Sequence, residues 1–227
     1  MERKQVNLLF KILGLLEKEG VLKHLIIAGS WCLYFYKYYY NKKQPIVSLR
    51  TRDVDFLLPD PKAITKEVNL PELLKELGFV IDYRGEQGYI RLVHPAVFIE
   101  FLVPERGRGF DKAFPLPKLG LNAQALRFID ILYIKTIIVK ARDIKVKLPH
   151  PACFLLHKII IFKRRPEKDK RSKEKEQIER MLYFLKDENK LHSLKRIFTV
   201  LHPKWRKRII DNLKDFNKEE IIDILQF

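Results

Sequence analysis

Apolar positions along the chain follow a helical period at both ends and a strand period in between. From Glu2 to Glu19, Leu8, Leu9, Ile12, Leu15 and Leu16 share a helical face, with Lys11 and Glu17 breaking the run. This predicts an amphipathic helix rather than a signal sequence or a membrane span. Residues 24–29 and 53–58 are predicted strands flanking a helix from Trp31 to Tyr40, and Ile26-Ile27-Ala28 has the unbroken apolar character of a buried strand. Pro71 to Leu77 should end a helix, with Gly78 as its stop. Gly78–Tyr83 and Tyr89–Val93 form a predicted hairpin around Gly85 and Gly88. A strand over Val97–Val103 follows, then a loop from Pro104 to Gly120, a short helix over 122–127 and further strand over 131–148. From Ala152 the period turns helical, through Phe154, Leu155, Ile159 and Phe162 to Ile178, Met181, Leu182 and Leu185. On the helix from Trp31, the residues Trp31, Phe35 and Tyr38 fall on one face and are expected in the core.

Composition narrows the class. A chain of 227 residues, 47% hydrophobic and 32% charged, can bury a sizeable core and is globular rather than disordered. Cys32 and Cys153 are too few for a disulfide framework or a cysteine-based zinc site, and imply a reduced cytoplasmic setting. The six histidines show no ligand spacing; three of them precede proline, which favours turns over catalysis. The net charge of +17 is concentrated, with +5 in residues 163–175 and +7 in residues 190–210. Such density is the footprint of a phosphate-rich partner. The alternative is the Lys-rich solvated surface of a heat-adapted protein. Residues 190–210 lack the acids that such a surface interleaves. Lys204, Arg206, Lys207 and Arg208 are therefore candidate nucleic-acid contacts.

Candidate chemistry lies in three short motifs. On a strand, Asp53-Val54-Asp55 puts both carboxylates on one face, about 6–7 Å apart. Two hard oxygen ligands on a rigid edge suit Mg²⁺, which takes few carboxylates and completes its shell with water and substrate phosphate. Upstream, Gly29 permits close backbone approach to a phosphate, and Ser30 can cap a helix whose N-terminus attracts the anion. The third motif is Glu100, a lone acid in the run Val97 to Val103. Buried alone it would be costly; beside Asp53 and Asp55 it completes a two-metal site as ligand or base. A lone Asp-x-Asp also occurs as ordinary turn or strand-end acids, so the weight rests on the full set in this order. Arg52 offsets developing charge or forms a structural salt bridge, and both readings stand. Arg106-Gly107-Arg108-Gly109 has no strand-to-helix setting and is read as a surface loop, with acceptor contact as the alternative. Lys158 lies among Leu155, Leu156, Ile159 and Ile161. Pointing inward it needs a negative partner, for which a nucleotide phosphate would serve; at the helix edge it would snorkel.

These residues resemble the polymerase-β type nucleotidyltransferase superfamily: Gly29-Ser30, then Arg52-Asp53-Val54-Asp55, then Glu100-Phe101-Leu102. The stretches Gly29-Ser30-Trp31-Cys32-Leu33-Tyr34-Phe35-Tyr36 and Arg50-Thr51-Arg52-Asp53-Val54-Asp55 resemble a bacterial and archaeal branch related to abortive-infection toxin nucleotidyltransferases. Leu148-Pro149-His150-Pro151, His157-Lys158, Arg164-Arg165, Lys173-Glu174 and Gln177 continue that likeness, with Glu174 where the branch tends to carry Asp. The resemblance implies an α+β (α/β) core, a mixed β-sheet flanked by helices over 1–150, with a basic helical region over 151–227. It implies transfer of a nucleoside monophosphate from an NTP to an acceptor hydroxyl, with two Mg²⁺ ions or Mn²⁺ as cofactor. Asp53, Asp55 and Glu100 would be metal-binding and catalytic; Gly29, Ser30, Arg52 and Lys158 would bind nucleotide. The acceptor is an RNA such as tRNA, a protein or a small molecule, and a toxin role would add an antitoxin partner. The rival classes are a non-catalytic nucleic-acid-binding module and an Asp-x-Asp glycosyltransferase. The intact acids oppose the first, and the upstream Gly-Ser and short chain oppose the second.

Overall fold

The computed structural model describes residues 3–45, 51–86, 88–107, 113–164, 168–187 and 190–226. Arg50, Arg108-Gly109, Arg165 and the side chain of Lys173, each part of a motif above, lie outside the described residues. The chain divides into two compact units, Met1–Ile129 with Ile137–Leu148, and Asp130–Thr136 with Pro149–Phe227.

In the first unit, α1 (Arg3–Lys18) buries Leu9, Phe10, Ile12, Leu13 and Leu16. That face is rotated slightly from the leucine pattern, since Leu8 and Leu15 are only half-buried. β1 (Ile26–Ala28) is buried throughout. It leads into α2 (Trp31–Tyr39), in which every residue from Trp31 to Tyr36 is buried. Trp31 and Phe35 lie in the core as expected, and the residues between them are buried as well, as the unbroken apolar and aromatic start requires. Tyr38 is half-buried.

The sheet is built from β2 (Asp53–Leu57), β3 (Val80–Arg84), β4 (Tyr89–Val93), β5 (Phe98–Pro104), β6 (Ala113–Leu116) and β7 (Leu121–Leu126), together with β1. Its main order is β1-β2-β5-β4-β3. β5 is parallel to β2 and to β7, while the remaining pairs are antiparallel. One edge of β5 serves two partners in succession. Phe98–Glu100 pair with β4, and Leu102–Pro104 pair with β7. Asn122 ties the two at this divide: its Oδ1 accepts from the Ile90 N–H at 2.8 Å, and its Nδ2 donates to the Gly88 carbonyl at 3.0 Å. The amide thus pairs a backbone N–H of β4 and the carbonyl of the residue just before that strand. The predicted helix stop is present after α3 (Leu70–Lys75). Gly78 adopts φ +85, and its N–H bonds the Lys75 carbonyl at 2.8 Å.

Three expectations are corrected. Residues 122–127 were expected as a short helix, but 122–126 belong to strand β7 and Arg127 to the turn after it. The Pro104–Gly120 stretch contains β6, an edge strand that tolerates Pro115 because one side of it needs no ladder bond. Residues 131–148 open with a helical turn, α4 (Ile131–Ile134), before β8 (Thr136–Ala141) and β9 (Ile144–Pro149) form a separate two-stranded sheet. Arg142, at φ 55, takes the left-handed backbone that the tight turn between them needs.

The second unit holds α5 (Pro151–Ile161), α6 (Lys168–Asp187), α7 (His192–Thr199), α8 (Pro203–Asp215) and α9 (Glu219–Gln226). α5 is its core, buried over Pro151–Leu156 and Lys158–Ile160. Asn212 on α8 donates to the Ile159 carbonyl at 2.6 Å. The histidines before proline all serve turns. His94, His150 and His202 each accept through Nδ1 the backbone N–H two residues on, at 3.0, 3.2 and 3.2 Å. His150 and His202 cap α5 and α8 in this way, with proline in the first turn. No helix of the described residues is long and apolar enough to cross a membrane.

Candidate active site

Period-two alternation on β2 runs exposed, buried, half-buried for Asp53, Val54 and Asp55. Val54 enters the core and both carboxylates share the opposite face. Parallel pairing sets Asp55 opposite Glu100 and Asp53 opposite Phe98. Since register partners project to the same side, Asp53, Asp55 and Glu100 share one face on adjacent strands, about 4.8 Å apart. Glu100 is half-buried, not sealed in the core.

The turn after β1 closes on this face from the other side. Ala28 is the register partner of Asp55. Gly29 has φ +62, and a Cβ placed on it would lie 1.9 Å from Oδ2 of Asp55. Gly29 is therefore demanded both by its left-handed backbone and by contact with a carboxylate of the site. Ser30 stands at the N-cap of α2 with helical dihedrals, and its side chain makes no capping hydrogen bond. The cap expected of it is thereby corrected. The first turn instead closes on backbone bonds from Cys32 N–H to the Gly29 carbonyl (3.2 Å) and from Leu33 N–H to the Ser30 carbonyl (3.1 Å).

Two guanidiniums flank the acids. Arg52 is exposed, with its Cζ 4.1 Å from the centre of the Phe98 ring and an Nη2 contact of 3.4 Å to the His94 carbonyl. Among the described residues it forms no ion pair. Arg91 is mostly buried and lies 4.3 Å from the same ring. It was not singled out from sequence. The signal was present: closing the predicted hairpin around Gly85–Gly88 sets Asp82 opposite Arg91, as observed. The turn from β4 to β5 then sets Arg91 opposite Glu100.

The donor set suits a hard divalent cation, being carboxylate oxygens on a rigid sheet with a glycine turn against one of them. It is not closed in advance. Among the described residues no group of three or more His, Cys, Asp or Glu is poised to hold a metal. Mg²⁺ needs one or two carboxylates, with water and substrate phosphate completing its shell, so these residues fit a cation that arrives with nucleotide.

In the second unit, Lys158 points inward and its Nζ donates to Oε1 of Glu174 at 2.6 Å, with the two side chains 8% and 9% exposed. Its burial is thus matched by a protein carboxylate, and contact with a phosphate would require Glu174 to give way. On α8, Lys204, Lys207 and Arg208 are exposed and Arg206 is half-buried. Cys153 is buried, and burial pushes its thiol up to about 11, which excludes a thiolate nucleophile there.

A glycine-serine turn, an Asp-x-Asp strand and a third acid on the adjacent parallel strand thus meet on one face of the sheet. The chain belongs to the nucleotidyltransferase family, whose family model matches residues 7–199. It is accordingly an enzyme of nucleotidyl transfer. No curated protein matches it. Among solved structures it is similar to ANT(2'')-Ia in complex with adenylyl-2''-tobramycin, at 12% identity over 94% of this chain and 99% of that chain, with a TM-score of 0.48. It is also similar to an antigenic nucleotidyltransferase-like protein from Paracoccidioides brasiliensis, at 15% identity over 96% and 92% of the two chains, with a TM-score of 0.47. The solution structure of the antibiotic-resistance factor ANT(2'')-Ia matches at 11% identity over 99% and 91%, with a TM-score of 0.41.

Proposed function

We propose that this nucleotidyltransferase moves a nucleoside monophosphate from an NTP to a hydroxyl of an RNA acceptor, in a Mg²⁺-dependent reaction that releases pyrophosphate. The observation that carries the reading is the register of Asp55 with Glu100, with Gly29 against the Asp55 carboxylate. Asp53, Asp55 and Glu100 would hold two Mg²⁺ ions, or Mn²⁺, which when bound acidify the attacking hydroxyl and offset the charge of the triphosphate. The remaining work belongs to the chain. Backbone N–H groups at Gly29 and Ser30, backed by the N-terminus of α2, take the β- and γ-phosphates. Glu100 accepts the hydroxyl proton as the acceptor oxygen bonds to the α-phosphorus. The bond from that phosphorus to its bridging oxygen breaks, and pyrophosphate leaves with the electron pair. Arg52, held on Phe98 and with no ion pair among the described residues, meets the charge gathering on the leaving phosphates.

The RNA acceptor is supported by α8. Four cations, Lys204, Arg206, Lys207 and Arg208, stand in its first two turns, with no acid before Asp211, and the positive end of the helix adds to them. The test is incubation with each α-labelled NTP, Mg²⁺ and total RNA. Labelled RNA is expected with one or more NTPs. Replacing Lys204, Lys207 and Arg208 together by Gln should weaken RNA binding and reduce the slope of log affinity against log salt by about two to three. Label appearing in protein instead would move the acceptor. No label and no Mg²⁺·NTP-dependent thermal stabilisation with any of the four NTPs would sink the reading.

A further inference from the structure

The row of side chains through the candidate site does not stop at Glu100. Register pairing carries it on, from Asp55 on β2 to Glu100 on β5, Arg91 on β4 and Asp82 on β3. All four project from one face, and their charges run negative, negative, positive, negative. Like charges directly opposite each other on adjacent strands repel, so Asp55 and Glu100 drive each other apart unless something holds them.

Arg91 stands where that hold would come from. Its Nη1 lies 3.7 Å from Oε1 of Glu100, and its Nη2 lies 3.5 Å from Oδ2 of Asp82. The Asp82 oxygen is anchored in turn by Nε of Arg84 at 2.7 Å. The guanidinium rests on Phe98, two residues before Glu100, and the Arg91 side chain is 12% exposed. At 3.7 Å the contact with Glu100 is an ion pair and not a hydrogen bond, so it supplies charge without taking up a carboxylate lone pair. The Nε of Arg91 is buried with no hydrogen-bond partner among the described residues. A buried guanidinium so loosely coordinated is poor material for stability, because desolvating it is costly and its acids return little of that cost at these distances.

We propose that Arg91, steadied by Asp82 and Phe98, is a positioning residue for the transfer reaction that aims Glu100 toward Asp53 and Asp55 before metal and nucleotide arrive. The inference rests on the nucleotidyl-transfer reading of these acids. It assigns Arg91 no contact with substrate; its effect passes through Glu100.

The test uses the full-length protein with three variants. Arg91→Met keeps a side chain that can pack on Phe98 but removes the charge. Arg91→Lys keeps the charge but loses the planar stacking. Asp82→Asn leaves Arg91 without its charged anchor. Two quantities are measured. One is kcat and KM for NTP. The other, independent of turnover, is the Mg²⁺ concentration that half-saturates thermal stabilisation by an NTP analogue with an uncleavable α,β bridge. Arg91→Met is expected to lower kcat about 10–100-fold, with KM within about threefold of wild type. It should also raise the Mg²⁺ requirement by a similar factor. That direction is diagnostic, because losing a positive charge beside the acids should on Coulomb grounds tighten cation binding. Arg91→Lys should recover part of both effects, and Asp82→Asn should show the same pattern more weakly.

Unchanged kcat in Arg91→Met, or a Mg²⁺ requirement that is unchanged or lower, overturns the proposal. A lower melting temperature with kcat intact makes Arg91 a structural bridge and overturns it too. If Arg91→Met does not fold, Arg91→Lys and Asp82→Asn decide; both folded with wild-type kcat and Mg²⁺ requirement is the overturning result. Wild-type protein that shows neither transfer nor Mg²⁺·NTP stabilisation removes the underlying reading, and this inference with it. Active wild type with indifferent Arg91 variants removes this inference alone.

Discussion

Among the described residues, buried Lys158 and mostly buried Arg91 are two cations handled in opposite ways. In the helical unit, Lys158 is 8% exposed and closes on Glu174 with a 2.6 Å hydrogen bond. In the sheet unit, Arg91 is 12% exposed, comes no nearer than 3.5 Å to either of its acids, and its Nε has no hydrogen-bond partner among the described residues. Side chains dedicated to holding a fold close their charges, because an open buried charge costs several kcal/mol. A side chain that positions a reacting acid must instead leave that acid's lone pairs open. The difference separates a structural ion pair from an open row of acids, although both were equally charged letters in the sequence.

The sharpest way to break this comparison is in turnover. Asp53→Asn or Asp55→Asn should reduce nucleotidyl transfer by about 100-fold or more. The metal-free melting temperature should hold or rise, because a clustered like charge has been removed. A steep fall in that temperature for Asp53→Asn would make the aspartate a structural partner and place the row with the closed pair.

The next effect is on stability. Lys158→Met leaves Glu174 buried and alone, and should cost about 3–5 kcal/mol in urea unfolding, as should Glu174→Leu. The double variant should lose far less than the sum of the singles. Additive losses would show that the pair is not coupled, and that its short distance misleads.

A third prediction concerns pH. His150 is pushed down to about 4, first by burial and then by the positive charges of Lys135 and Arg196. The folded unit therefore favours the neutral imidazole that caps α5, whereas the unfolded chain protonates it near 6.5. Stability from this group is complete above pH 6.5 and is lost as pH falls from 6.5 toward 4, by on the order of 3 kcal/mol. His150→Asn retains a capping acceptor without a titratable ring, so its unfolding free energy should vary less over that window. An equally steep dependence in the variant would assign the loss to other groups.

The smallest expected stability effect is at Gly29. Gly29→Ala must accommodate φ +62 and a collision with the Asp55 carboxylate, at about 1–3 kcal/mol. Transfer should fall with it, because Asp55 is the group displaced. Wild-type stability and turnover in this variant would mean that the turn is looser than its contacts indicate.

Much of the site was readable before the fold. Asp53 and Asp55 share a face because strand side chains alternate, and Glu100 stood out as one acid in a β-branched and aromatic run. Other features were legible only in outline or were misread. Leu121 to Leu126 alternates apolar and polar residues, yet Leu, Ala and Gln favour helices; the free edge of β5 and pairing with β6 decided for strand. Ser30 was a reasonable cap by residue type, but its helical backbone leaves the first turn to close on carbonyls. The close approach of Gly29 to the Asp55 carboxylate was not legible in the sequence, because it depends on the pairing of β1 with β2.

By itself the sequence determined what depends on local period and residue type: the two amphipathic regimes, the hairpin around Gly85 and Gly88, the acids on one face of β2, the histidine turns before proline and the concentration of charge near the C-terminus. Tertiary structure alone decided which strands became neighbours. The parallel pairing of β2 with β5 and the antiparallel return of β4 bring residues far apart in the chain into one row. No local propensity encodes such a register, because it follows from burying the apolar face of every strand at once. For the same reason Lys158 and Arg91 could not be told apart in advance: whether a buried cation is closed or left open depends on the acid that a distant segment places beside it.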